Sequence, residues 1–381
     1  MPNLFQYVEE RGRLSFDQLP FTEADALVMT RLSYLPFEDA VFPDFDATVT
    51  IATATERFFT TTNPTIYVVM PEDPDLLQLL AETPRYKDLR LSGYRNIVDL
   101  RQEKQFAALT IALPDGSHFL SFRGTDNTLI GWKEDFNMTY LTPVPAQEEA
   151  VRYIEEFASK TPSEMLIGGH SKGGNLAMYA GAFCSEPVQN RIRNVYNHDG
   201  PALHPNLRTS TGYLRIRDRI QTYIPQSSVV GILMNPENTF TVIDSSQKGI
   251  MQHDLYSWEI EHDRFRRMEE MTRRSLFIAR TMNEWMLSVE NDQRELFLGT
   301  MFEILRGTGA ETVTDLTKKW QRKALTALKS IRGMDPHFRK NLSRAFRLLF
   351  RSGKRNIEIL RPRKEQKKQR KLLQKRKRLG E

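Results

Sequence analysis

The chain has 381 residues, 40% of them hydrophobic and 27% charged, with a single cysteine. That length allows a full core in one large domain or two smaller ones. Lone Cys184 excludes an internal disulfide and reads as a packing residue in a reducing compartment. The net charge of +6 hides an asymmetry: 18 of the 54 basic and 3 of the 48 acidic residues fall between Arg339 and Glu381, so the preceding 338 residues carry 36 basic against 45 acidic, a balance of −9.

The N-terminus lacks the basic start and apolar segment of a secretory signal, and no run approaches the ~18 apolar residues of a membrane span. The expectation is a cytoplasmic protein that does not cross the membrane. Thr22, followed by Glu23 and Asp25, reads as a helix N-cap with an acidic first turn. Ala26, Met29, Leu32 and Leu35 then place one face of that helix on the core, with no functional role assigned to it.

From Tyr86 the pattern turns to strands. One closes at Ile97-Val98, and a second spans Phe106 to Leu113. Pro114-Asp115-Gly116 is a hairpin turn into a third, His118 to Phe122, antiparallel to the second. The third ends in Phe122-Arg123-Gly124-Thr125-Asp126, with Trp132 and Asp135 beyond. Pro145 to Ala158 has the spacing of a crossover helix.

Met165-Leu166-Ile167 then runs into Gly168-Gly169-His170-Ser171-Lys172-Gly173-Gly174, and apolar residues return at helical spacing. The embedded G-x-S-x-G between strand and helix is the pattern of a nucleophile elbow. A serine on a strained turn exposes its hydroxyl, and side chains larger than hydrogen on either side would clash. The helix beginning there points its first N–H groups at the place where an oxyanion forms. Three further strands follow: Ile192 to Tyr196, ending in Asn197-His198-Asp199-Gly200-Pro201; Ile220 to Ile224, closed by Pro225; and Phe240 to Ile243, leading to a loop that holds His253.

Near Asp263 the strand signals cease. Amphipathic stripes take over at Met282, Trp285, Met286 and Val289, then at Leu298, Met301, Phe302 and Leu305, then at Val313, Leu316 and Trp320. Gly307-Thr308-Gly309 and Gly333-Met334-Asp335-Pro336 separate them. Such stripes read as core. Arg361 onward is a self-repelling basic run that reads as disordered. The implied organisation is an α/β domain at 1–262, a helical extension at 263–350 and a basic tail at 351–381.

A serine hydroxyl needs a base within hydrogen-bond reach, itself oriented by an acid. Among seven histidines, His253 fits the Ser, acid, His chain order of α/β-hydrolases and the last sheet loop. His118 precedes the serine and His170 belongs to the elbow. His198 and His204 come too early, while His262 and His337 lie in the helical region. Asp199, at the end of the strand after the elbow, is the first choice of acid, with Asp218 and Asp244 as alternatives. The N–H groups of Thr125 and Lys172 are the expected oxyanion donors. No metal or organic cofactor is called for.

G-H-S-K-G-G-N-L-A, with F-R-G-T-D and Trp132-x-x-Asp135, resembles the class 3 (fungal-type) lipases. With N-H-D-G-P, Y-I-P-Q-S-S-V-V-G and Q-H-D-L-Y-S-W, it looks closer still to an uncharacterised bacterial lipase-like family. The likeness covers about Phe21 to Trp258. It implies an α/β-hydrolase core with a mostly parallel sheet and ester hydrolysis through Ser171 and His253, on a lipid or lysophospholipid substrate. Two departures stand out. The lipases carry their acid after the next-to-last strand, where this chain has Pro225-Gln226-Ser227-Ser228 and no carboxylate. Lys172 replaces a small or apolar residue, offering a cation to the oxyanion or to an anionic substrate. A second reading makes the fold an inactive scaffold that binds an anionic membrane or RNA through its basic tail. The absence of aromatic residues from the last twenty positions argues against base stacking and therefore against RNA.

Overall fold

The computed structural model describes residues 2–60, 68–99, 101–126, 137–138, 141–235, 239–290, 293–294 and 336–360, excluding the side chains of 336–339 and 341–342. Trp132, Asp135, the stripes from Leu298 to Trp320 and the tail beyond Leu360 lie outside them.

Eight strands form one sheet in sequence order: β1 (Val49–Thr50), β2 (Arg90–Asp99), β3 (Lys104–Ala112), β4 (His118–Phe122), β5 (Met165–His170), β6 (Ile192–His198), β7 (Ile220–Pro225) and β8 (Thr241–Ile243). The first three pairings are antiparallel, as the short hairpin at Pro114-Asp115-Gly116 requires for β3 and β4. The four from β4 to β8 are parallel. Parallel strands need crossovers, so their carboxyl ends, at Phe122, His170, His198, Pro225 and Ile243, come out along one edge. That edge carries Thr125, Ser171, Lys172, Asp199 and the loop of His253, whereas Asp218 precedes β7 at the opposite edge.

Strand alternation sends side chains to two cores. On one face, Leu109, Ile111, Phe119, Leu166 and Tyr196 pack with α1 (Leu4–Arg11), α2 (Glu23–Leu32), α3 (Ile51–Thr60) and α4 (Asp73–Glu82). On the other, Ala108, Leu120, Phe122, Ile167 and Val195 pack with α5 (Pro145–Lys160) and α6 (Lys172–Phe183). Thr22 caps α2 as its sequence suggests: its hydroxyl accepts from the Asp25 N–H while Asp25 Oδ2 accepts from the Thr22 N–H at 2.8 Å. Asp25 is wholly buried and also pairs with Arg85 (2.6 Å) and the Tyr86 hydroxyl (2.6 Å). A second buried pair, Arg31 with Asp73, holds α2 to α4 and takes the Tyr256 hydroxyl as a third partner.

The short helices α7 (Glu186–Gln189) and α8 (Thr211–Ile216) lie between β5 and β7 in the chain. After β8, β9 (Ile260–Glu261) and β10 (Arg264–Phe265) form a hairpin whose turn, His262-Asp263, contains the expected division at 262/263. Beyond it α9 (Arg273–Ser288) starts at an N-cap, Thr272. Its Ala279 packs on Ile224 and Ile232, and its Trp285 and Met286 pack on Ala202 and Met234, so the stripe foreseen as core is core. Helix α10 (Pro336–Asn356) lies against α9, with the Trp285 indole donating to the Ala345 carbonyl at 3.0 Å. Ala202 and Met234 follow the ends of β6 and β7, which puts this helical pair at the carboxyl edge too.

Candidate active site

Ser171 stands between β5 and α6 with φ 56° and ψ −129°, a conformation that costs a non-glycine residue about 1–3 kcal/mol and persists only where its surroundings impose it. They do. Its N–H is held by the His198 carbonyl at 2.9 Å. The glycines around it are required by contact: a Cβ on Gly169 would lie 2.4 Å from the Gly173 carbonyl oxygen, and one on Gly173 would lie 2.1 Å from that of Phe122. Gly124, at the end of β4, is pressed so closely to the elbow that a Cβ there would sit 3.1 Å from the Ser171 Cβ and 2.5 Å from the His170 oxygen. Thr125 is the next residue, half-buried beside the serine's turn.

The candidate acid and base come together across 54 residues of chain. His253 Nδ1 donates to Asp199 Oδ2 at 2.6 Å, which leaves Nε2 as the basic nitrogen. Asp199 is wholly buried and has a left-handed backbone (φ 52°). The turn that aims it is fixed by Asn197, whose side chain accepts from the Gly200 N–H (2.9 Å) and donates to the Gly200 carbonyl (3.1 Å). Its other oxygen, Oδ1, accepts from the Ser228 hydroxyl at 2.5 Å and the Gly231 N–H at 3.1 Å. Thus the stretch after β7 that lacks a carboxylate supplies a hydroxyl to one from β6. The two alternatives lie elsewhere. Asp218 is exposed at the amino end of β7 beside Arg217, and Asp244 accepts from Gln226 and the Ser245 N–H.

The loop bearing His253 is pinned on both sides of the imidazole. Gln252 gives its carbonyl to the Trp258 indole (2.9 Å) and its side-chain oxygen to the Ser227 N–H (2.7 Å). The His253 carbonyl accepts from His170 Nε2 at 2.9 Å. Because that nitrogen must carry the proton, His170 Nδ1 is an acceptor, and the buried Tyr34 hydroxyl donates to it at 2.9 Å. The Tyr34 oxygen in turn receives the Gly124 N–H at 3.1 Å. One chain of hydrogen bonds therefore joins the end of β4, the elbow and the base loop. Burial, reinforced by His253, Arg31 and His198, holds His170 well below the usual histidine pKa, so this chain keeps its neutral form. Burial likewise pushes Tyr34 up to about 12.

Sequence reading did not find Tyr34, Ser228 or the partners of His170. It also assigned the Lys172 ammonium to substrate or oxyanion, and the structure places it differently. Lys172 is buried, and its Nζ donates to the Gln105 carbonyl at 2.8 Å at the start of β3, where the Gln105 side chain accepts from the Asp126 N–H (3.4 Å). A buried ammonium needs such partners, so its charge ties α6 to the β3 edge. Its backbone N–H remains the first of α6, at the helix end that favours negative charge. Of the other histidines, His118 lies at the amino end of β4 with Ser163, and His198 is wholly buried against Thr30.

Among solved structures the chain is similar to M37 lipase (TM-score 0.35, 11% identity, covering 56% of this chain and 70% of that one). It is also similar to lipase II from Rhizopus niveus (TM-score 0.29, 19% identity, 40% and 66%). No curated protein matches the sequence. The model of the Mbeg1-like family matches residues 80–303, more than half of the chain and a span that includes the elbow, Asp199 and His253, and the chain belongs to that family.

Proposed function

We propose that the protein is a serine hydrolase that cleaves carboxylic esters through an acyl-enzyme. The observation that carries this reading is the 2.6 Å bond from His253 Nδ1 to buried Asp199 at the edge where strained Ser171 stands. Ser171 Oγ attacks the ester carbonyl as His253 Nε2 takes its proton, and Asp199 stabilises the imidazolium that results. The tetrahedral oxyanion is met by the N–H groups of Thr125 and Lys172. Collapse breaks the ester C–O bond, and His253 returns the proton to the departing alcohol. A water then attacks the acyl-enzyme with His253 again as base, releasing the carboxylic acid and restoring Ser171.

A lipid or lysophospholipid ester is the proposed substrate, following the resemblance of the Gly169–Gly174 and Phe122–Asp126 stretches to class 3 lipases. Labelling with a fluorophosphonate tests the nucleophile: wild type reacts, whereas Ser171→Ala does not and His253→Ala reacts slowly. Equal labelling of wild type and Ser171→Ala would remove Ser171 from this role. A panel of chromogenic esters of increasing acyl length, run beside lysophospholipids, reads the substrate class.

A further inference from the structure

We propose that α10 is a membrane-docking surface that seats the protein on an anionic lipid bilayer through Phe346, Phe350 and the cations beside them. Between Pro336 and Asn356 the sequence holds seven Lys and Arg and no Asp or Glu. The inward face of the helix is packed: Ala345 and Ser352 are buried, and Leu348 and Leu349 pack towards Trp285 and Met286. The outward face is not built like a solvated one. Phe350 is 76% exposed and Phe346 38%, and the short helix that follows, Ile357–Leu360, adds Ile357 at 50% and Leu360 at 44%.

Phe346 and Phe350, four apart, share one side of the helix, with Arg347 and Arg351 next to them. Lys340, Arg344, Arg347, Arg351, Lys354 and Arg355 are all exposed. Among the described residues only Arg355 of these has a carboxylate partner, Glu284 at 2.9 Å. Exposed aromatic and aliphatic side chains set among unneutralised cations describe an interfacial amphipathic helix, whose apolar residues enter the acyl boundary while its cations meet anionic headgroups. A nucleic acid fits less well. The surface is the convex side of one helix, and Ile357 and Leu360 provide no face on which a base can stack. Because α9 and α10 pack beside Ala202 and Met234, docking would bring the carboxyl edge of the sheet, with Ser171, towards the bilayer.

The inference concerns binding and does not depend on the hydrolytic reading. Its test therefore uses the full chain carrying Ser171→Ala, so that no lipid is consumed, sedimented with phosphatidylcholine vesicles with and without phosphatidylglycerol, at low and high salt. Binding is expected only to the anionic vesicles. Phe346→Ala with Phe350→Ala is expected to weaken it about tenfold through lost apolar burial. Arg347→Glu with Arg351→Glu is expected to weaken it more than about tenfold, at roughly fivefold for each charge removed. Phe350, Arg347 and Arg351 are exposed, so Phe350→Ala and the double arginine variant should leave thermal unfolding unchanged. As a direct readout, Phe350→Trp should shift its emission to the blue on anionic vesicles and be quenched by brominated acyl chains. The proposal is overturned if the chain ignores anionic vesicles, if both double variants bind as the parent does, which assigns binding to the tail alone, or if RNA displaces the protein and loses affinity with the phenylalanines.

Discussion

Replacing Asp199 by Asn tests the site most sharply, because the surrounding donors dictate how the amide must sit. Oδ1 accepts from both Ser228 Oγ and the Gly231 N–H, and Oδ2 accepts from His253 Nδ1. If the amide oxygen takes the Oδ1 position, both donors stay satisfied and the NH2 faces His253. The reverse orientation sets the NH2 against two buried donors, at about 1–3 kcal/mol for each one left unpaired. The first orientation wins by about 2–6 kcal/mol on that count. An NH2 facing Nδ1 drives the histidine's proton onto Nε2, so the atom that should receive the serine proton already carries one. The expected loss is about 10⁴ in kcat, or ~5.5 kcal/mol, with the fold intact. Hydrolysis of a soluble chromogenic ester measures it, beside thermal unfolding. A variant within tenfold of the wild-type kcat at an unchanged unfolding midpoint would refute Asp199 as the acid.

Tyr34→Phe removes the donor to His170 Nδ1 and the acceptor of the Gly124 N–H. Unfolding in urea should show a loss of ~2 kcal/mol, and kcat should fall ten- to a hundredfold with little change in KM, since Tyr34 is buried and acts through His170. Arg85→Met leaves Asp25 buried without its cation and should cost about 3–5 kcal/mol by the same measurement, with activity of the remaining folded protein unaltered. His198 is held down to about 3 by burial, from an ordinary 6.5. An unfolded chain takes up a proton below pH 6.5 that the native ring refuses, so stability from this group is full above 6.5 and is lost as the pH falls towards 3. His198→Phe should therefore flatten the acid side of the stability curve by up to ~1.4 kcal/mol per pH unit, seen in unfolding midpoints over about pH 4–6.

What could be read along the chain was local chemistry. Thr22 with Asp25 signals a cap within four residues, Pro114-Asp115-Gly116 a hairpin within three, and the elbow an encounter of glycines with the carbonyls of Phe122 and Gly173. His253 was singled out by chain order and by its loop after the last strand of the main sheet, while His262, the other histidine between that strand and α9, falls in the β9–β10 turn. Tyr34 was not reachable. It lies 136 residues before His170, just past a helix whose pattern speaks only of burial, and its role exists only because α2 packs across the strand ends. The Lys172 side chain was misread for a related reason. Its position after the serine suggests the site, yet whether an ammonium meets a substrate or a backbone carbonyl depends on the neighbour it finds, here Gln105 on a strand 67 residues away.

The acid's place follows from the same kind of packing. The lipase resemblance points to the end of β7, where this chain has Ser228, and the carboxylate that meets His253 instead comes from the end of β6, the strand beside the one that leads into Ser171. A side chain leaving an adjacent strand must be turned outwards to reach a base loop that follows β8. Asp199 achieves this with a left-handed backbone, held by Asn197 bonding to both sides of Gly200. The remaining separation is bridged by the loop after β7: Ser228 and Gly231 fix one carboxylate oxygen, and Ser227 fixes Gln252, the residue before the base. The end of β7 thus holds Asp199 and the loop of His253 in register without supplying either. On the proposed mechanism, changes in the 227–231 loop would act on both partners at once, and that loop would link α9, whose Ser275 hydroxyl donates to the Ser228 carbonyl, to the reaction at Ser171.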